Sequence, residues 1–165
     1  MSTKQSRTRR GKGSAAADVP RLDDQLCFMF YATSRAIVDA YRPALASIGL
    51  TYPQYLVMLV LWEQDGQIVG EIGEKLRLES NTLTPLLKRL EANGLVMRQR
   101  DRQDERQVCI ALTPAGRRLK RAVHVVPEAL ACRLTLPAET VEQLRLHMDL
   151  ILRTLGTGAA SPEPE

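Results

Sequence analysis

The chain is poor in several things, and each shortage excludes a class of protein. Aromatic side chains are few, with two Phe, four Tyr and one Trp in 165 residues, which suits a helical protein built on Leu and Ala. There are three cysteines, an odd number and widely spaced; that is no disulfide framework, and it points to a reducing cytoplasm. No pair of them has metal-ligand spacing, and His124 and His147 are isolated, so no metal site is expected. No apolar run approaches the ~20 residues that a membrane span needs. The N-terminus is basic, but no apolar segment of the kind a secretory signal requires follows it. Glycine-rich phosphate loops and serine-triad contexts are missing too, so neither a nucleotide cofactor nor hydrolase chemistry is expected.

What the chain has is a basic surplus concentrated in one place. Net charge is +4 overall, consistent with a nucleic-acid partner without establishing one. Residues 80–121 alone hold ten Lys and Arg against four Asp and Glu. Within that segment Leu83, Leu86, Leu87 and Leu90 recur at helical spacing and make one apolar stripe. Off the stripe fall Asn81, Thr82, Thr84, Pro85, Lys88 and Arg89, with Ser80 as the expected N-cap. Short polar side chains on the first turn fit between base edges in a major groove. Pro85 is expected near the helix start, where its missing N–H costs little, and Gly94 is expected to close the helix in the left-handed conformation.

Two strand-like runs follow, Leu95–Arg100 and Gln107–Leu112, joined by a polar tip. Arg98, Arg100, Arg102 and Arg106 make this hairpin basic, the electrostatic footprint of phosphate binding. Asp104 and Arg106 are two apart and share a strand face, so the carboxylate is placed to hold the guanidinium toward a narrow minor groove. With residues 68–77 as a preceding helix, the order is helix, turn, helix, hairpin. The expected fold is mainly α with a small β-hairpin wing: a winged helix-turn-helix flanked by N- and C-terminal dimerisation helices.

The rest of the chain divides accordingly. Residues 1–20 read as a disordered basic tail, which either adds non-specific DNA affinity or only solubilises. Residues 21–48 read as one long helix, bent near Pro43 and closed by Gly49; it is apolar around much of its girth, which calls for a partner chain. Residues 52–113 form the DNA-binding core, opened by Thr51 and Pro53. Residues 114–156 carry further helices, the first capped by Thr113 and interrupted at Pro127, the last starting at Pro137. Residues 157–165 form a second tail. Spare apolar faces at both ends suit a two-fold dimer, whose paired reading heads stand about 34–36 Å apart on a pseudo-palindromic duplex.

Several stretches carry a family resemblance. The run from Asp104 to Thr113 resembles the wing signature of the MarR family of transcriptional regulators. The stretches Leu22–Tyr31, Gly49–Glu63 and Asn81–Glu91 resemble the organic-hydroperoxide-resistance branch, over roughly residues 21–135. A departure lies at Glu79-Ser80-Asn81, where relatives commonly have Asp-Ser-Gly. The resemblance implies a homodimeric repressor that binds double-stranded DNA when reduced and releases it when Cys27 meets an organic hydroperoxide. Thiolates attack the O–O bond and become sulfenic acids, but an ordinary thiol near pKa ~8.5 needs help to ionise at neutral pH. Tyr31 is one helical turn from Cys27, about 6 Å along the axis, placed to donate to the thiolate. Tyr41 is roughly 21 Å along the same helix, so its help, implied by the resemblance, comes from the partner subunit. Phe28, Phe30, Met58 and Trp62 are expected walls of an apolar pocket, each with ordinary core packing as the rival reading. Cys132 is the expected resolving thiol, as in the two-cysteine subgroup, against an inert residue; Cys109 is given no role. Two rivals stay open: a MarR-type repressor that answers a small phenolic ligand with Cys27 only packing, and a thiol peroxidase.

Overall fold

A computed structural model describes residues 20–100 and 107–156, all but the side chain of Arg100. The expected tails, and Arg102, Asp104 and Arg106 of the hairpin tip, lie outside the described residues. The chain falls into two units, one ending at Ala36 and the other running from Ile37.

In the first unit a single 3-10 turn, Leu22–Asp24, precedes helix α1, Leu26–Ser47, which continues into the second unit. The helix expected over residues 21–48 is therefore shorter at its start: Gln25 is extended and its N–H closes the 3-10 turn on Leu22 O. Leu22, Leu26, Met29 and Tyr31 are all exposed.

The second unit is built around α2, Tyr52–Glu63. The Gln54 side chain accepts from the Thr51 N–H at 2.9 Å, which sets its start. α2 buries residues around its whole girth, from Tyr55 and Val57 to Leu61 and Trp62, as a central helix must. Then come β1 (Gln67–Ile68), α3 (Val69–Leu76), α4 (Ser80–Ala92), β2 (Val96–Arg100) and β3 (Val108–Leu112). Strand order is β1-β3-β2, antiparallel throughout, with Val96 opposite Leu112 and Arg98 opposite Ile110. The two-residue strand β1 was not expected, because two residues carry no period. Gln67 anchors it: fully buried, it donates to Val60 O and Gln64 O and accepts from Lys75 Nζ at 2.6 Å.

The glycines expected to end helices do so. Gly49 and Gly94 have positive φ. After α4, Gly94 N–H reaches Glu91 O and Leu95 N–H reaches Leu90 O, the paired bonds of a left-handed C-terminal cap. At the turn between α3 and α4 the same place is taken by Arg77, at φ 53°, the one non-glycine residue with positive φ among those described. Leu78 N–H bonds back to Gly73 O, and a Cβ on Gly73 would stand 2.9 Å from Leu78 O. Arg77→Gly relieves the left-handed strain but loosens the unfolded chain; the net expectation is a gain of about 0.5 kcal/mol. A urea midpoint that falls instead refutes it.

Three local expectations need correction. The N-cap of α4 is Glu79, and Ser80 is the first helical residue. Pro85 is consequently the sixth residue of that helix; it lies beyond the four free N–H groups of the first turn and removes one internal bond. The segment after the wing breaks before Pro127, not at it: α5 is Pro114–Leu119 and α6 is Val125–Ala131. A proline ring clashes with the carbonyl four residues earlier, so the break falls upstream of it. Turns at Arg121, Ala122 and Val126 close on the third residue back. The last helix, α7, is Ala138–Gly156. It buries no residue and exposes Leu144, Leu146, Met148, Leu150, Leu152 and Leu155. No single helix among the described residues is long and apolar enough to cross a membrane.

Candidate functional site

The sequence of α4 sorts its residues by face. Leu83, Leu87 and Leu90 are fully buried, each contributing about 1.5–3 kcal/mol by leaving water. That fixes the helix against α2 and α3 and turns the other side out. Ser80, Asn81, Thr82, Pro85, Lys88 and Arg89 are exposed, and Thr84 is half-buried. At the first turn, Asn81 Nδ2 donates to Glu79 Oε2 at 3.1 Å and Thr82 Oγ1 donates to Asn81 Oδ1 at 3.1 Å.

The hairpin is tied to the rest of the unit at its base. Asp65, just past α2, accepts from Leu112 N at 2.7 Å with one oxygen and from Arg117 with the other. Trp62 Nε1 donates to Gly116 O at 2.9 Å and Lys120 Nζ donates to Trp62 O at 2.7 Å. Thr113 Oγ1 donates to Gly94 O at 2.6 Å and accepts from Gly116 N–H at 3.0 Å, capping α5 as expected. Thus Arg117 and Lys120, counted in the basic surplus, are partly spent on structure. Arg98 is only half-exposed. It stands on the same sheet face as its buried partner Ile110, and its Nε is sealed from solvent without a hydrogen bond.

The thiol stands on the first turn of α1. Cys27 is exposed and unpaired in any disulfide, as is Cys132, the residue that closes α6. Tyr31 is also exposed; its hydroxyl accepts from Arg35 Nη1 at 3.0 Å, and the same guanidinium lies 5.7 Å from the centre of its ring. Tyr41 is half-buried in the second unit, stacked on Tyr52 with ring centres 5.4 Å apart and tilted against Tyr55 at 6.4 Å. Burial, and then the neighbouring Tyr52, push the Tyr41 phenol above its ordinary value of 10.0. Burial does the same to Tyr55, helped by Tyr41 and Tyr52. Both therefore stay protonated, and able to donate, across neutral pH. Beside this cluster Val38, Arg42, Leu45, Ala46, Leu50 and Tyr52 line a cavity of about 370 Å³.

Comparison with known proteins decides the family. Residues 39–123 match the transcriptional regulator SarA/Rot family. The organic hydroperoxide resistance transcriptional regulator of Bacillus subtilis is 42% identical over 84% of this chain and 94% of its own length. The chain belongs to the MarR-type winged-helix family of transcriptional regulators. The HTH-type regulator TtmR of Methylorubrum extorquens is 58% identical over 68% of this chain, a match that spans 58% of TtmR's length. Among solved structures, reduced AbfR bound to DNA has 42% identity and a TM-score of 0.68, covering 81% of this chain and 93% of that one; AbfR is a protein of Staphylococcus epidermidis.

Within this MarR-type regulator, the exposed face of α4 brings Ser80, Asn81, Thr82, Lys88 and Arg89 together. Two of the expected pocket walls take a different place. Met58 is fully buried and Trp62 nearly so, both inside the core cluster; the core reading holds for them. Phe28 is half-buried and Phe30 exposed. Tyr52 was missed altogether. Nothing local shows that Tyr41 and Tyr52, eleven apart in number, will stack.

Proposed function

We propose that this protein is a homodimeric, DNA-binding transcriptional repressor that senses organic hydroperoxides through Cys27. The observation that carries the reading is an exposed Cys27 in a chain whose likeness to a hydroperoxide resistance regulator covers 94% of that relative. Supporting it, the exposed face of α4 is short, polar and basic, and AbfR of the same family is seen bound to DNA in reduced and overoxidized forms.

In this reading residues 52–113 grip the duplex, and residues 21–48 and 114–156 join two copies. The apolar faces that α1 and α7 leave open are covered by the second chain. Ser80, Asn81, Thr82, Thr84, Pro85, Lys88 and Arg89 enter the major groove, while Arg100, Asp104 and Arg106 serve the wing and Arg98, half-buried at its base, does not reach the duplex. Cys27 thiolate attacks the terminal peroxide oxygen; the O–O bond breaks, the thiol becomes a sulfenic acid and the hydroperoxide leaves as an alcohol. Phenol donors stabilise the thiolate, Tyr31 from the same helix and Tyr41 with Tyr52 from the partner subunit. Phe28 and Phe30, beside Cys27 in sequence, supply the apolar surroundings that favour an organic over an inorganic peroxide. Cys132 then condenses with the sulfenic acid, releasing water and forming a disulfide between subunits; a disulfide-formed AbfR is a precedent within the family. Oxidation changes the spacing of the two heads, and because both must fit at once a small change weakens the pair. The protein acts in the cytoplasm, without cofactor or metal, and is not an enzyme.

The test is a duplex-binding assay on reduced protein with and without an organic hydroperoxide, followed by mass spectrometry. The expected result is loss of binding together with a Cys27 sulfenate adduct or a Cys27–Cys132 bridge. Two outcomes count against it. Release with no change of mass favours a non-covalent phenolic effector, for which the cavity lined by Arg42 and Tyr52 is the available room. Sustained turnover of peroxide with a recycling reductant favours a peroxidase.

A further inference from the structure

Base specificity needs a side chain whose free donors and acceptors match one base edge and whose orientation is held before binding. Asn81 meets both conditions. It is exposed on the first turn of α4, in the outward row with Pro85, Lys88 and Arg89, opposite the buried Leu83, Leu87 and Leu90. An Asn amide offers two N–H donors and two carbonyl lone pairs. Glu79 Oε2 takes one donor, and the Thr82 hydroxyl takes one lone pair. Because a carboxylate oxygen accepts and cannot donate, the amide nitrogen must face Glu79, which fixes the otherwise ambiguous orientation of the group. One donor and one acceptor remain on the amide. In the major groove that is the complement of adenine, whose N7 accepts and whose N6 amino group donates.

We infer that Asn81 reads an adenine in each half-site, with Glu79 as the residue that positions its amide. The inference rests on the DNA-binding reading above and deepens it. Lys88 and Arg89, further along the same face, contribute charge and length but no such paired edge.

The experiment is selection from a random-sequence duplex pool with reduced wild-type protein, Asn81→Ala and Glu79→Ala. Both side-chain changes lie on an exposed surface, so folding is not at stake. Wild-type sites are expected to contain one adenine position per half-site whose preference vanishes in Asn81→Ala, weakens in Glu79→Ala, and leaves the other positions unchanged. Placing 7-deazaadenine there removes the N7 acceptor. It should lower wild-type affinity roughly ten-fold, within the range of one good bidentate contact, and leave Asn81→Ala affinity as it was. An adenine preference that persists in Asn81→Ala, or an equal 7-deaza penalty in both proteins, overturns the inference while leaving the repressor intact. A wild-type protein that enriches no sequence at all overturns both.

Discussion

Cys27→Ser protein is expected to keep hold of its duplex at concentrations of organic hydroperoxide that release the wild-type protein. Serine occupies nearly the same volume and sits on an exposed turn of α1, so fold and reduced-state binding should be unchanged. What it lacks is a nucleophile: a hydroxyl does not form a sulfenic acid, and without that step nothing drives a change at the subunit boundary. Coupling between two sites is typically 1–3 kcal/mol, so oxidation of the wild type should weaken binding by roughly 5- to 150-fold, and the variant by none. The measurement is a pair of titrations of the same duplex, before and after peroxide. Equal release of both proteins would sink thiol sensing and leave the DNA grip standing. Cys132→Ser separates the second step: it should still release when Cys27 is oxidised, but without a bridged dimer on a non-reducing gel.

The second large effect is expected at Gly116, far from any chemistry. Its amide is capped by Thr113 Oγ1, and its carbonyl accepts the indole N–H of Trp62. A Cβ at this position would stand 2.1 Å from Leu95 O and 3.2 Å from a Leu112 methyl. The obstacle is backbone, which cannot rotate away as a side-chain end would. Gly116→Ala must therefore push α5 off the hairpin, straining the Trp62 bond and the Asp65–Arg117 pair at the same junction. Overpacking of this kind typically costs 1–3 kcal/mol, and the coupled bonds place this case at the upper end, about 3 kcal/mol. Chemical denaturation measures it. A change below about 0.5 kcal/mol would mean that the junction yields freely, and that the hairpin is not held from α2 and α5 as described.

The relation between sequence and structure differs from one residue to another for identifiable reasons. Thr113 and Pro114 announced a capped helix, and Gly49 and Gly94 announced helix ends, because caps are set by neighbours within a few positions. The Leu83–Leu90 stripe likewise follows from a local period. Arg77 gave no such signal: a left-handed arginine is dictated by the close approach of Leu78 to Gly73, not by preference. Met58 and Trp62 could stand in a pocket wall or in a core on sequence alone, since both places select the same side chains.

The chain's order of amino acids determined the helix-turn-helix, the basic hairpin and the polar first turn of α4. All of these are patterns that a helix or strand makes visible at short range. Only the tertiary structure decided which distant groups meet: Asp65 with Leu112, Trp62 with Gly116, Tyr41 with Tyr52 and Tyr55, and Arg98 turned toward the inner face of the sheet. The reason is that these contacts join residues up to 54 apart. Their meeting depends on how helices and strands pack against one core, a property of the assembled unit that no local spacing encodes.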